Sequence, residues 1–112
     1  MTVPRRPRST ISTAELDELI EQATVDCYHD SEQVTGLFTM IEEQLALPFR
    51  TTVLGVPVTI GRVDVTTTDE IVAICTRDGH RQTIPILQLT VPDPWPDGWE
   101  WIEAYRHWAR WM

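Results

Sequence analysis

Pro48 separates two regimes of hydrophobic periodicity, and that change of period is the strongest constraint on how the chain can fold. Ahead of it, apolar residues recur every three or four positions; behind it, they alternate. The first spacing lines one face of a helix and the second lines one face of a strand, so no single element accommodates both. The expectation is an α+β chain, with helices first and a small sheet after them.

Ser12-Thr13-Ala14-Glu15 reads as a capping box, in which a hydroxyl and a carboxylate satisfy backbone N–H groups that a first helical turn leaves free. Leu16, Leu19, Ile20, Ala23 and Cys27 then share one face. Tyr28-His29-Asp30-Ser31 is the expected break, with Asp30 or Ser31 capping a second helix. Val34, Leu37, Phe38, Ile41 and Leu45 form its apolar stripe, and Pro48 ends it. The pattern predicts a helical hairpin over 12–47, dry inside and acidic outside.

Beyond Pro48, 49–53 and 56–65 are rich in β-branched residues, Thr66 to Asp69 reads as a loop, and 71–76 is a further strand. Asp78-Gly79 is a two-residue hairpin turn into Arg81 to Ile84, and Pro85 consigns the residues after it to a sheet edge. Four or five short strands over 49–91 suit a small, bent SH3-like β-barrel. The spacer Pro92-Asp93-Pro94-Trp95-Pro96 precedes a C-terminal Trp-rich helix over 97–112, capped by Asp97, with Trp101, Ile102, Tyr105, Trp108 and Met112 on one face. That face is expected to dock and complete the core, leaving Trp95, Trp99 and Trp111 partly exposed. The whole reads as a single domain over 12–112 behind a disordered basic tail over 1–11, which holds Arg5, Arg6 and Arg8.

Charge narrows the function. From Ser12 to Phe49 there are nine carboxylates and no Lys or Arg. Pairs such as Asp17/Glu21 and Asp26/Asp30 stand one turn apart, each costing about 0.2–0.5 kcal/mol in an isolated helix. Net charge is −8, and from Ser9 onward six Arg face seventeen acids. Such a field repels nucleic acid and anionic membranes and attracts cations or a basic protein partner. The N-terminus lacks the apolar core of a secretory signal and no run spans a bilayer, so a cytoplasmic location is expected. Cys27 and Cys75 read as reduced thiols; a zinc site is disfavoured, because Cys27 and His29, two apart, point to different sides of a helix. There is no legible nucleophile–base–orienter set and no Gly-rich phosphate loop, so an enzyme is not expected.

Taken together, Asp26-Cys27-Tyr28, Glu32, Gly36, Phe38, Ile41-Glu42-Glu43-Gln44-Leu45 and Pro48-Phe49 resemble the signature of the CcbP-type calcium-binding family. Gly79 followed by Ile84-Pro85-Ile86-Leu87-Gln88-Leu89, and the ending from Glu103 to Trp111, are similar to its downstream motifs. The order and spacing of these segments carry the resemblance, which runs from about Asp26 to the C-terminus. It implies a small acidic bacterial protein that binds calcium without EF-hands, as a buffer or sensor. Leu37 stands where the family has Trp, Glu43 where it has Asp, and His107 where it has Asp.

Calcium takes six to eight oxygens, at about 2.3–2.6 Å. No EF-hand loop exists in this chain, so a site must be assembled from separate elements. Asp26 and Asp30, with Glu32 and a carbonyl near Tyr28, form one candidate group at the hairpin corner. Glu42 and Glu43 form a second, opposite Asp17, Glu18 and Glu21 in a tightly antiparallel hairpin; the loop from Asp64 to Glu70 is a third. The same residues serve equally as a solvated acidic face. The competing reading is a metal-independent adaptor, with the barrel and the Trp-rich helix as its protein-binding surface.

Overall fold

A computed structural model describes residues 11–110. Apart from Ile11, the expected basic tail lies outside the described residues, as do Trp111 and Met112. The elements run α1 (Thr13–Ala23), α2 (Asp30–Gln44), β1 (Phe49–Val53), β2 (Val56–Val65), β3 (Ile71–Arg77), β4 (His80–Pro85), a 3-10 turn (Ile86–Gln88) and α3 (Glu100–Ala109). The α+β class is as expected.

Ser12 caps α1, its hydroxyl accepting from the Glu15 amide at 3.1 Å. Val34, Leu37, Ile41 and Leu45 of the expected stripe are buried, with Leu37 fully enclosed, while Phe38 is only half-buried. The two helices meet where Gly36 faces the end of α1. A Cβ at Gly36 would overlap the Ala23 carbonyl, so the close approach requires glycine there.

The four strands form one antiparallel sheet in the order β1-β2-β3-β4. Val53 pairs with Val56 and Arg77 with His80, which makes the Leu54-Gly55 and Asp78-Gly79 connections two-residue hairpins. The register slips at Gly61, between Ile60 and Arg62, as a bulge that bends β2. Val58, Ile60, Val63, Ile71, Ala73 and Cys75 turn inward from the sheet to join the helices in one core.

The closed SH3-like barrel is not what forms: the sheet is open, and β1 and β4 are both edges. Pro85, the last residue of β4, has no N–H to extend the ladder, and the chain turns at once into the 3-10 turn. The following segment reaches the β1 edge at Thr90, whose amide bonds the Thr52 carbonyl at 3.0 Å. The Thr51 hydroxyl bonds the Thr90 carbonyl, and the Thr52 and Thr90 hydroxyls meet at 2.9 Å. The contact covers the edge without adding a strand.

α3 ties the molecule together. Its Trp101, Ile102, Ala104 and Tyr105 are buried. Trp108 Nε1 donates to Gln33 Oε1 of α2 at 2.8 Å, Arg106 Nη1 donates to the Leu87 carbonyl at 3.3 Å, and His107 Nε2 lies 3.0 Å from Asp17 Oδ1 of α1. Two expectations need correction. Asp97 does not cap α3, because Trp99 occupies that position without a side-chain cap. Nor is Trp99 exposed: it is wholly buried, packed edge-on against Phe49 with ring centroids 5.8 Å apart, its Nε1 donating to Glu103 Oε2 at 2.9 Å. Gly98 explains both, since at φ 88 it lets the chain press onto the end of α2, where a Cβ would overlap the Gln44 carbonyl. Trp95, by contrast, is half-buried as expected.

Candidate metal centre

The corner between α1 and α2 is built from local hydrogen bonds. Thr24 Oγ1 donates to the Ile20 carbonyl at 2.7 Å, and the Cys27 amide bonds the Thr24 carbonyl at 2.9 Å. Asp26 sits at φ 64, a left-handed conformation that Asp adopts more readily than most residues other than glycine. His29, in extended backbone, is the N-cap of α2. Neither Asp30 nor Ser31 caps the helix. Glu32 reaches back instead, with Oε2 accepting from the Tyr28 amide at 3.2 Å and Oε1 lying 2.8 Å from His29 Nε2. Glu32 therefore has a structural task that any ion would have to share.

Ser31 makes the long-range contact of this corner: its hydroxyl donates to Asp69 Oδ1 at 3.1 Å. Asp69 is presented by a tight β2–β3 loop, in which the Thr66 amide bonds the Glu70 carbonyl at 2.9 Å and the Asp69 amide bonds the Thr66 carbonyl at 3.0 Å. The fold thus carries a carboxylate of the third candidate group to the helix end that holds Asp30 and Glu32. No signal in the sequence marks that pairing, since thirty-eight positions separate the two residues.

Glu42 and Glu43 project from the opposite end of α2 and are exposed. From Glu32 to Glu42 the helix rises roughly 15 Å, at 1.5 Å per residue, so no single ion spans both groups. Acids in the first turn of a helix complement its dipole, whereas Glu42 and Glu43 oppose it, and the last turn of α2 holds no basic residue. Asp17, expected opposite them, is bonded to His107. A carboxylate at position 107 would repel Asp17.

None of Glu18, Glu21, Asp26, Asp30, Glu42 and Glu43 has an ion-pair partner among the described residues. Equally, no three His, Cys, Asp or Glu side chains among the described residues stand close enough together to hold a metal ion. The donor type fits calcium, being carboxylate and carbonyl oxygen, but the donors are not pre-assembled. Cys27 and Cys75 are free thiols, the second buried, and burial pushes its ionisation up.

No protein-family model matches the sequence, and no curated protein matches it. Two solved structures match the fold. Anabaena CcbP superimposes with a TM-score of 0.73 over 90% of this chain and 94% of its own, at 16% identity. A calcium binding protein in its calcium-binding form gives a TM-score of 0.70 over 89% of this chain and 96% of its own, at 15% identity. This chain shares their fold over about nine tenths of its length.

Proposed function

We propose that this protein belongs with the CcbP-type calcium binders and binds calcium as a buffer or sensor, without catalysis, in the bacterial cytoplasm. The observation that carries the reading is the fold itself, common to nearly the full length of a calcium-binding protein and of CcbP. It agrees with the resemblance read from the sequence, and with six carboxylates on the first two helices and the turn between them that have no cationic partner among the described residues. Among the described residues no helix is long and apolar enough to cross a membrane.

The site we assign is the α1–α2 corner, with Asp26, Asp30 and Glu32 joined by Asp69 and by carbonyls of the turn. Glu42 and Glu43 form a second, weaker position at the other end of α2. Like charges on solvated side chains keep apart until a divalent ion draws them together, so binding costs rearrangement and the affinity falls in the micromolar to millimolar range. The adaptor reading loses its main surface, since Trp99 and Trp101 are buried and Trp108 is half-buried.

Calorimetry tests the proposal. The wild type is expected to give saturable heat with calcium and a raised melting temperature. Asp26→Asn with Asp30→Asn abolishes the stronger phase, while Glu43→Gln affects only the weaker one. Absence of heat in the wild type at millimolar calcium sinks the reading.

A further inference from the structure

A cleft of about 510 Å³ opens where the end of α2 meets the segment leading into α3. Its walls include Gln44, Pro94, Trp95, Pro96, Asp97 and Glu100. We propose that this cleft receives the arginine side chain of a basic partner protein.

The charge is of one sign. Asp97 and Glu100 line the cleft, no cationic side chain does, and neither carboxylate has an ion-pair or hydrogen-bond partner among the described residues. The C-terminal end of α2, which carries the partial negative charge of the helix dipole, lies alongside, with Glu42 and Glu43 in the preceding turn. The shape selects an organic cation over a bare ion. Calcium needs six to eight oxygens at about 2.3–2.6 Å all round, and the two carboxylates that line the cleft supply only part of that shell. A guanidinium is flat, weakly hydrated and rich in donors, and it stacks on indole and proline surfaces while pairing with carboxylates.

The walls are already fixed. The Ala46 amide bonds the Asp97 carbonyl at 2.8 Å and the Trp99 amide bonds the Pro96 carbonyl at 3.1 Å. Gly98 is pressed onto Gln44, and Trp99 behind it is anchored in the core. A preformed site loses little freedom on binding. The net charge of −8 steers basic segments toward it.

The test titrates the full-length, isotope-labelled chain with a capped five-residue peptide bearing one central arginine, followed by the indole and amide resonances of Trp95 and Gly98. A calcium chelator is present, so the outcome is independent of the calcium reading. Saturable shifts are expected, with a Kd below about 1 mM. Citrulline in place of arginine, or Asp97→Asn with Glu100→Gln in the protein, weakens binding at least tenfold while the melting temperature holds. The proposal is overturned if no shifts appear, if the double variant binds as well as the wild type, or if free arginine binds as tightly as the peptide. In a separate titration without chelator, displacement of the peptide by calcium from the Glu42→Gln, Glu43→Gln variant overturns it in favour of a metal site in the cleft. Tighter peptide binding by the Arg5→Gln, Arg6→Gln, Arg8→Gln variant overturns it in favour of the chain's own arginines as occupants.

Discussion

Ser31 and Asp69 meet at 3.1 Å across thirty-eight positions, joining the first turn of α2 to the loop between β2 and β3. The bond brings a carboxylate of that loop to the helix turn that carries Asp30 and Glu32. If calcium binds there, Asp69 is a ligand supplied by the fold. Asp69→Asn is expected to weaken calcium binding about tenfold, or 1.4 kcal/mol. Asparagine also tolerates φ 63, so metal-free stability should change by no more than about 0.5 kcal/mol. Paired calorimetric and urea titrations check both halves.

Close backbone approach predicts an order among glycine substitutions. Gly61→Ala meets nothing within 4 Å and should be nearly silent. Gly36→Ala gains up to about 1 kcal/mol of helix propensity but drives a methyl into the Ala23 carbonyl, for a net loss of about 1–2 kcal/mol. Gly98→Ala combines overlap with Gln44 and a left-handed φ, and should lose about 3 kcal/mol. Urea midpoints in that order support the packing described.

Leu54 is 97% exposed and holds φ 51 at the first position of the β1–β2 hairpin, followed by Gly55 at φ 79. Two positive φ values favour Asn-Gly, and a branched side chain there is strained. Leu54→Asn should stabilise the protein by about 0.5–1 kcal/mol. A thermal or urea midpoint that fails to rise contradicts the turn geometry.

Alkaline pH should weaken the fold. Burial raises the ionisation of Tyr105, whose hydroxyl also accepts from the Ile71 amide at 3.5 Å, and of Cys75. The unfolded chain releases these protons first, so stability is flat below the ordinary values of 9.0 and 10.0 and falls as pH rises through and beyond them. Tyr105→Phe should shed the upper part of that fall. Urea midpoints from pH 8 to 11 that decline equally in both proteins would remove Tyr105 from the account.

How much was legible depends on how far apart the interacting residues lie. The buried stripe of α2, the Ser12 cap, the strand segments and the Asp78-Gly79 turn depend on neighbours within a few positions, and the sequence carries them plainly. The candidate carboxylates were visible as residue types but not as sets. Nothing local reveals that Asp69 joins Ser31 or that Asp17 is held by His107, whereas the bond from the Tyr28 amide to Glu32 is a local capping contact that the sequence reading assigned to Asp30 or Ser31 instead. Barrel closure failed for a similar reason, because it turns on whether the chain after Pro85 runs along β1 or touches it only at Thr90.

The sequence alone determined the elements and their charge, through periodicity, turn chemistry and the separation of acids from arginines, all of which act over a turn or a strand. Tertiary structure decided which acids share a neighbourhood, how deeply Trp99 sinks, and where the sheet stops. Those outcomes depend on contacts between distant segments, whose energies are settled only when the whole core packs at once.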